Sequence, residues 1–253
     1  MAHTNRDVWL AGVDSCPKGW IAVFVRPSGQ DGDTRVFCRF SDILTAPEAP
    51  AVIAVDIPIG LPKRAGQGGR AAEATVRSLL TKRRPSVFSV PSRCAIYAEI
   101  GPFKNQKEKK AARRRASIVA VATSDPPRKI TIQSFAIFPK IREVDKVMQS
   151  KKRSLRICEV HPEIAFWLMN SENEVADSKK TQAGAERRKK LLTEWKLPRH
   201  IMDRRPPLGA GTDDLLDALA CAAIARRIHA GIAQPFPDPP PRDALGLPMA
   251  IWA

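Results

Sequence analysis

The chain has 253 residues, 43% hydrophobic and 27% charged, which is long and apolar enough for one sizeable core or two small ones and excludes a disordered polypeptide. No apolar run approaches the roughly 20 residues that span a bilayer, and MAHTNRDVWL lacks the charged-then-apolar form of a signal peptide, so a cytoplasmic protein with no membrane partner is expected. Lys and Arg number 42 against 26 Asp and Glu, a formal charge of +16 that suits a polyanion such as nucleic acid or, alternatively, only confers solubility.

DVWLAGVD (7–14) predicts a buried strand ending in an acid, and GWIAVFV (19–25) its hairpin partner across the turn SCPKG. TRVFCRF (34–40) alternates like a third strand after the polar turn PSGQDGD. The short SDIL segment reads as one helical turn leading to APAVIAVD (49–56), a fourth apolar strand that also ends in an acid. Three meandering strands, a crossover and a further strand fit an α/β sheet with parallel members in its middle.

IPIGLP (57–62), with two prolines, is a loop. Helical spacing follows over 69–82, then the loop RRPSVFSVPSR (83–93) and a cationic helix or arm at 103–116. The stretch 130–149 predicts a helix in its second half, 155–161 a fifth strand, and 162–170, 184–195 and 211–227 further helices. QPFPDPPPRDALG is a proline-rich connection, and LPMAIWA is a candidate terminal strand packing back on the domain. The expected organisation is one domain over 1–253, with a basic insertion near 100–128 and a Pro-rich C-terminal extension at 232–253. The cysteines, Cys16, Cys38, Cys94, Cys158 and Cys221, form an odd, scattered set without a CxxC pair, which predicts reduced thiols and argues against zinc.

Asp14 and Asp56 each close an apolar strand, and ligands bind at that edge of open α/β sheets. An acid in that position is also a good turn former. Asp217 is harder to place. With a cap at Thr212 it lies past the reach of the helix dipole, and it heads a stripe through Cys221, Ile224 and Ile228 suited to a core. Such an acid is costly unless a cation meets it. Asp214, three residues earlier, shares that face, whereas Asp213 reads as an acid of the first turn. Glu159 is a further candidate, or a surface acid paired with lysines. Several carboxylates in one pocket need protons or a cation; Mg²⁺ or Mn²⁺ suits oxygen ligands, and two such ions promote phosphodiester cleavage.

GVDSCPKGW, AVDIPIGLP, SVFSVP, KIREVD, EVHPE and DDLLDALACA, in that order, resemble the predicted ribonuclease-H-like nuclease family catalogued as domain of unknown function four-hundred-twenty-nine, from about Val8 to His229. The block from Asp214 to Ala220 also resembles the last motif of Holliday-junction resolvases. The resemblance implies a ribonuclease-H-like mixed sheet of order 3-2-1-4-5, with the first three strands antiparallel, flanked by helices. It also implies divalent metal held by Asp14, Asp56, Asp214 and Asp217. Ser15 departs from a glycine common in the family, and Glu73 from a frequent aspartate.

Arg70, Arg77, Arg83, Arg84 and Arg93 flank SVFSVP, where Ser86 and Ser89 are candidate phosphate donors. Lys140, Arg142, Lys179, Lys180 and Arg187 are similar cases, each with a solvated surface as the alternative. His161 either orients a carboxylate or is structural, and Trp20, Phe88 and Phe166 read as core. The expected function is metal-dependent hydrolysis of nucleic acid. The alternatives are a catalytically inactive nucleic-acid-binding protein of the same fold and an actin-like ATPase or phosphotransferase, the last without Gly-rich phosphate loops. A homodimer is left open.

Overall fold

The computed structural model describes residues 8–29, 31–150 and 156–253. Asp7 and Leu155, at the starts of two expected strands, and Gln30, in an expected turn, lie outside the described residues. Strands β1 (Leu10–Cys16), β2 (Gly19–Val25) and β3 (Gly32–Phe37) form an antiparallel meander, with Trp20 opposite Phe37 and Val13 opposite Ala22. After the short helix α1 (Phe40–Leu44), β4 (Val52–Val55) returns parallel to β1, and β5 (Arg156–Glu159) lies parallel to β4. The result is a mixed five-stranded sheet in the order 3-2-1-4-5 flanked by helices.

Period-two alternation divides each strand between two cores. Leu10, Ile21, Val23, Val52, Ala54 and Cys158 pack with α2 (Ala71–Ser78), α6 (Pro162–Met169), α7 (Gln182–Glu194) and α9 (Thr212–His229). Ala11, Val13, Ala22, Phe24, Ile53 and Val55 pack on the opposite face with α3 (Arg93–Tyr97), α4 (Gln106–Ala122) and α5 (Ile132–Gln149). A four-residue helix α8 (Arg199–Met202) sits near β3, and β6 (Pro235–Phe236) pairs with β7 (Ile251–Trp252).

Several segments depart from the sequence reading. The basic stretch is a packed helix, α4, that runs to Ala122 and buries Ala112, Ala116 and Ala120. α5 is helical from Ile132 despite the β-branched start and the internal Pro139. Thr131 caps it by accepting from Ser134 N at 3.0 Å, and Phe135 and Phe138 bury its first half against Phe103. Packing therefore outweighs propensity there. LPMAIWA contributes only Ile251 and Trp252 to a strand, in a small sheet apart from the main one. Among the described residues no helix is long and apolar enough to cross a membrane, and the cysteines are free thiols.

Candidate metal centre

The alternation that builds the cores also aims the strand-end acids. Leu10, Gly12, Asp14 and Cys16 share one side of β1, and Val52, Ala54 and Asp56 share the same side of β4 and its exit. Val13 is in register with Val55, and Asp56 N–H donates to Val13 O at 3.0 Å, so the two aspartates are neighbours across a parallel pair.

α9 completes the group because it crosses β1 almost at backbone contact. A Cβ built on Gly12 would lie 2.0 Å from Ala222 N and 2.2 Å from Ala218 O. Glycine on the strand and alanine one turn apart on the helix make that approach feasible. Asp217 precedes Ala218 and heads the buried stripe of Cys221, Ile224 and Ile228. One carboxylate oxygen from each of Asp14, Asp56 and Asp217 lies within 4.8 Å of the others.

These three acids hold each other's charge under strain. Burial, then Asp56 and Asp217, push Asp14 well above the usual carboxylate range. Burial raises Asp56 to about 7, with Lys179 opposing and Glu163 adding to the rise. Burial likewise raises Asp217 to about 7 against the pull of Lys179, whose ammonium is ion-paired with it. The charge on Lys179 is disfavoured by burial, but Asp217, Asp14 and Asp56 outweigh that and hold its pKa above the usual lysine value. Ser15 N–H fixes Asp14 by donating to Oδ1 at 2.6 Å. An oxygen-only, buried, under-neutralised donor set of this kind fits a hard divalent cation.

Two further acids expected at the centre have protein partners of their own. Asp214 accepts from Gly211 N at 2.8 Å and closes the helix start, because the cap is Gly211 and not Thr212. From there it adds only its charge to Asp14. Glu159 is in register with Val55, one residue before Asp56, and lines the same cavity as Asp14 and Asp56. It meets Arg70 through Oε1 at 2.5 Å and Oε2 at 3.0 Å.

Arg70 corrects a second expectation. It is only 3% exposed, and every guanidinium nitrogen donates internally, to Glu73, Glu159 and the carbonyls of Ile59 and Gly60. A phosphate has no access to it. Arg83 is half-buried and pairs with Glu163, which also takes buried Arg188. Arg93 bridges Asp145 and Asp243. Lys140 donates to Gly19 O at 2.8 Å and lies 4.4 Å from the Trp20 ring centroid. Arg187 donates to Asn170, Arg84 to Leu80 O, and the Lys180 side chain is exposed. His161 Nδ1 accepts from Glu163 N and caps α6, and burial lowers its pKa.

Lys179, grouped from the sequence with the candidate phosphate contacts, is ion-paired with Asp217. Nothing in SKKTQAG distinguishes it from Lys180; only the demand for a cation opposite Asp217 pointed to such a partner. Asp14, Asp56, His161 and Phe88 line a cavity of about 210 Å³ opening beside the cluster.

Residues 12–242 match the model of the family described as protein of unknown function (DUF429), and the chain belongs to that family. No curated protein and no solved structure matches the chain.

Proposed function

We propose that this member of a family without an assigned activity hydrolyses phosphodiester bonds of nucleic acid with divalent cations, Mg²⁺ or Mn²⁺, held as a pair by carboxylates. The observation that carries the reading is the convergence of Asp14, Asp56 and Asp217, from two strand ends and one helix, with ligand oxygens within 4.8 Å. The charge of +16 and the ribonuclease-H-like motifs support it, and the sheet order is compatible with those motifs.

Asp14, Asp56 and Asp217 would hold the cations, with half-buried Asp214 the remaining candidate ligand. Bound there, such ions polarise a phosphoryl oxygen and lower the pKa of water. The chain's own part is positional. Gly12 sets the distance from helix to strand, Ser15 N–H orients Asp14, and Lys179 supplies the positive charge nearest Asp217. Cleavage leaving a 5′-phosphate and a 3′-hydroxyl is the outcome suggested by fold analogy.

The ion pair between Lys179 and Asp217 favours a second reading, in which an ammonium takes the cation's place and the protein binds nucleic acid without cutting it. Labelled DNA, RNA, hybrid and branched-junction substrates, each with Mg²⁺ or Mn²⁺, separate the two. The nuclease reading expects cleavage of at least one substrate, abolished in folded Asp14→Asn and Asp217→Asn proteins. Survival of every substrate with both metals rejects it in favour of binding alone.

A further inference from the structure

The acid-lined cavity has a larger neighbour. Val87, Phe88 and Val90 line both it and a second cavity of about 720 Å³, a size within the roughly 300–1,000 Å³ of clefts that hold small ligands. The charged side chains lining the second cavity are Arg77, Arg84, Arg128 and Lys129, with no Asp or Glu among the lining residues. One cavity is therefore acidic, the next is basic, and a common apolar wall joins them.

Two of the cations meet at one hydroxyl. Arg77 Nη2 donates to Ser89 Oγ at 3.2 Å, and Arg128 Nη1 donates to the same atom at 3.3 Å. A serine hydroxyl has two lone pairs and one proton. With both lone pairs engaged, Ser89 has only its O–H to offer a ligand. Arg77 is held in place by Val87 O, which accepts from Nε at 2.9 Å. Gly68, at φ +85°, makes room for it: a Cβ there would come within 2.7 Å of Arg77 Nη1. Burial lowers the Arg77 pKa, with Glu73 opposing the fall and Arg128 adding to it. Two guanidinium groups thus face each other across an atom that can only donate. An oxyanion stabilises that arrangement, and a neutral or cationic ligand does not.

We infer that Arg77, Arg128 and Ser89 form a phosphate subsite for one nucleotide of a single-stranded nucleic acid, with the ring of Phe88 at the shared wall as a platform for its base. The inference rests on the reading of the acid cluster as a phosphodiesterase centre and gives that centre a substrate class. A duplex turns its bases inward, whereas an unpaired strand can put base and phosphate together into a cavity of this size.

The test measures anisotropy of a labelled oligothymidylate, and of a duplex with equal phosphate number, in buffer containing EDTA. Without divalent ions the result is independent of catalysis: loss of cleavage with this binding intact overturns the enzyme reading alone. The wild-type chain is expected to bind the single strand more tightly than the duplex and to release it to thymidine monophosphate. Arg128→Ala, at an exposed position, should weaken binding about tenfold and reduce the slope of log affinity against log salt by about 0.7. Ser89→Ala should weaken it by a smaller factor, and Lys110→Ala, on the exposed face of α4, by less still. Equal affinity for duplex and single strand overturns the inference, as does wild-type binding by both the Arg128 and the Ser89 variants.

Discussion

Two buried charge clusters sit side by side at the C-terminal ends of β1, β4 and β5, one residue apart in register, and they differ in how their charges are met. Around Arg70, two carboxylates share one guanidinium whose three nitrogens all donate, while Ile59 N–H and Arg70 N–H complete Glu159 and Glu73. That cluster supplies its own counter-charge and locks the loop after β4 to α2. Around Asp14, three carboxylates share a single ammonium, beside a cavity lined by Asp14 and Asp56 and, from the other cluster, by Glu73 and Glu159. The difference teaches how to tell architecture from chemistry among buried charges. A structural cluster brings its own counter-charge and donors, whereas a functional one leaves a deficit for a ligand to fill.

The largest effect expected from this contrast lies in the neutralised cluster. Arg70→Met should cost about 3–5 kcal/mol of stability, because Glu73 and Glu159 are left buried without their partner; chemical denaturation reads this directly. Gly12→Ala comes next, at about 3 kcal/mol, since the added methyl meets α9 backbone. That variant should also lose Mn²⁺ affinity, as α9 carries Asp217 away from Asp14, whereas Arg70→Met should leave residual affinity in whatever fraction stays folded.

Neutralising one acid in each cluster should give opposite results. Glu159→Gln should destabilise the metal-free protein by about 1.5–3 kcal/mol through its lost charged hydrogen bonds. Asp56→Asn should leave it unchanged or stabilise it by up to about 1 kcal/mol, since it relieves repulsion. Equal destabilisation by the two would erase the distinction between a neutralised and an under-neutralised cluster.

The remaining contrast is a pH dependence. Burial raises Asp56 and Asp217 from the usual 3.8 to about 7. An acid whose folded pKa is raised lends stability that is present below its unfolded value and lost as pH rises through the folded one. The melting temperature without metal should therefore fall between about pH 4 and 7. Mn²⁺ should offset that fall, by about 2.7 kcal/mol at a hundredfold excess over its dissociation constant. A profile unaffected by Mn²⁺ would count against cation binding.

The sheet was legible in the sequence because buried strands announce themselves by apolar runs, and the two acids closing β1 and β4 fell on the correct face for the same reason. Asp217 was legible as a misfit in its own stripe. Asp214 was not, because choosing between capping and ligation turns on whether the cap is Gly211 or Thr212, a shift of one residue. Glu159, in register with Val55, reaches the same cavity, but its carboxylate is taken by Arg70. Arg70 read as a phosphate contact because a sequence does not reveal that two glutamates 3 and 89 positions away converge on it. α3 and α8, five and four residues long, are too short for helical periodicity to register.

The most direct measurement is anomalous scattering from crystals soaked in Mn²⁺. The account predicts a peak at the three aspartates, about 2.1–2.2 Å from oxygens of Asp14, Asp56 and Asp217, with the ammonium of Lys179 moved off Asp217. A peak-free map at saturating Mn²⁺, with that ammonium still paired to Asp217, would contradict it.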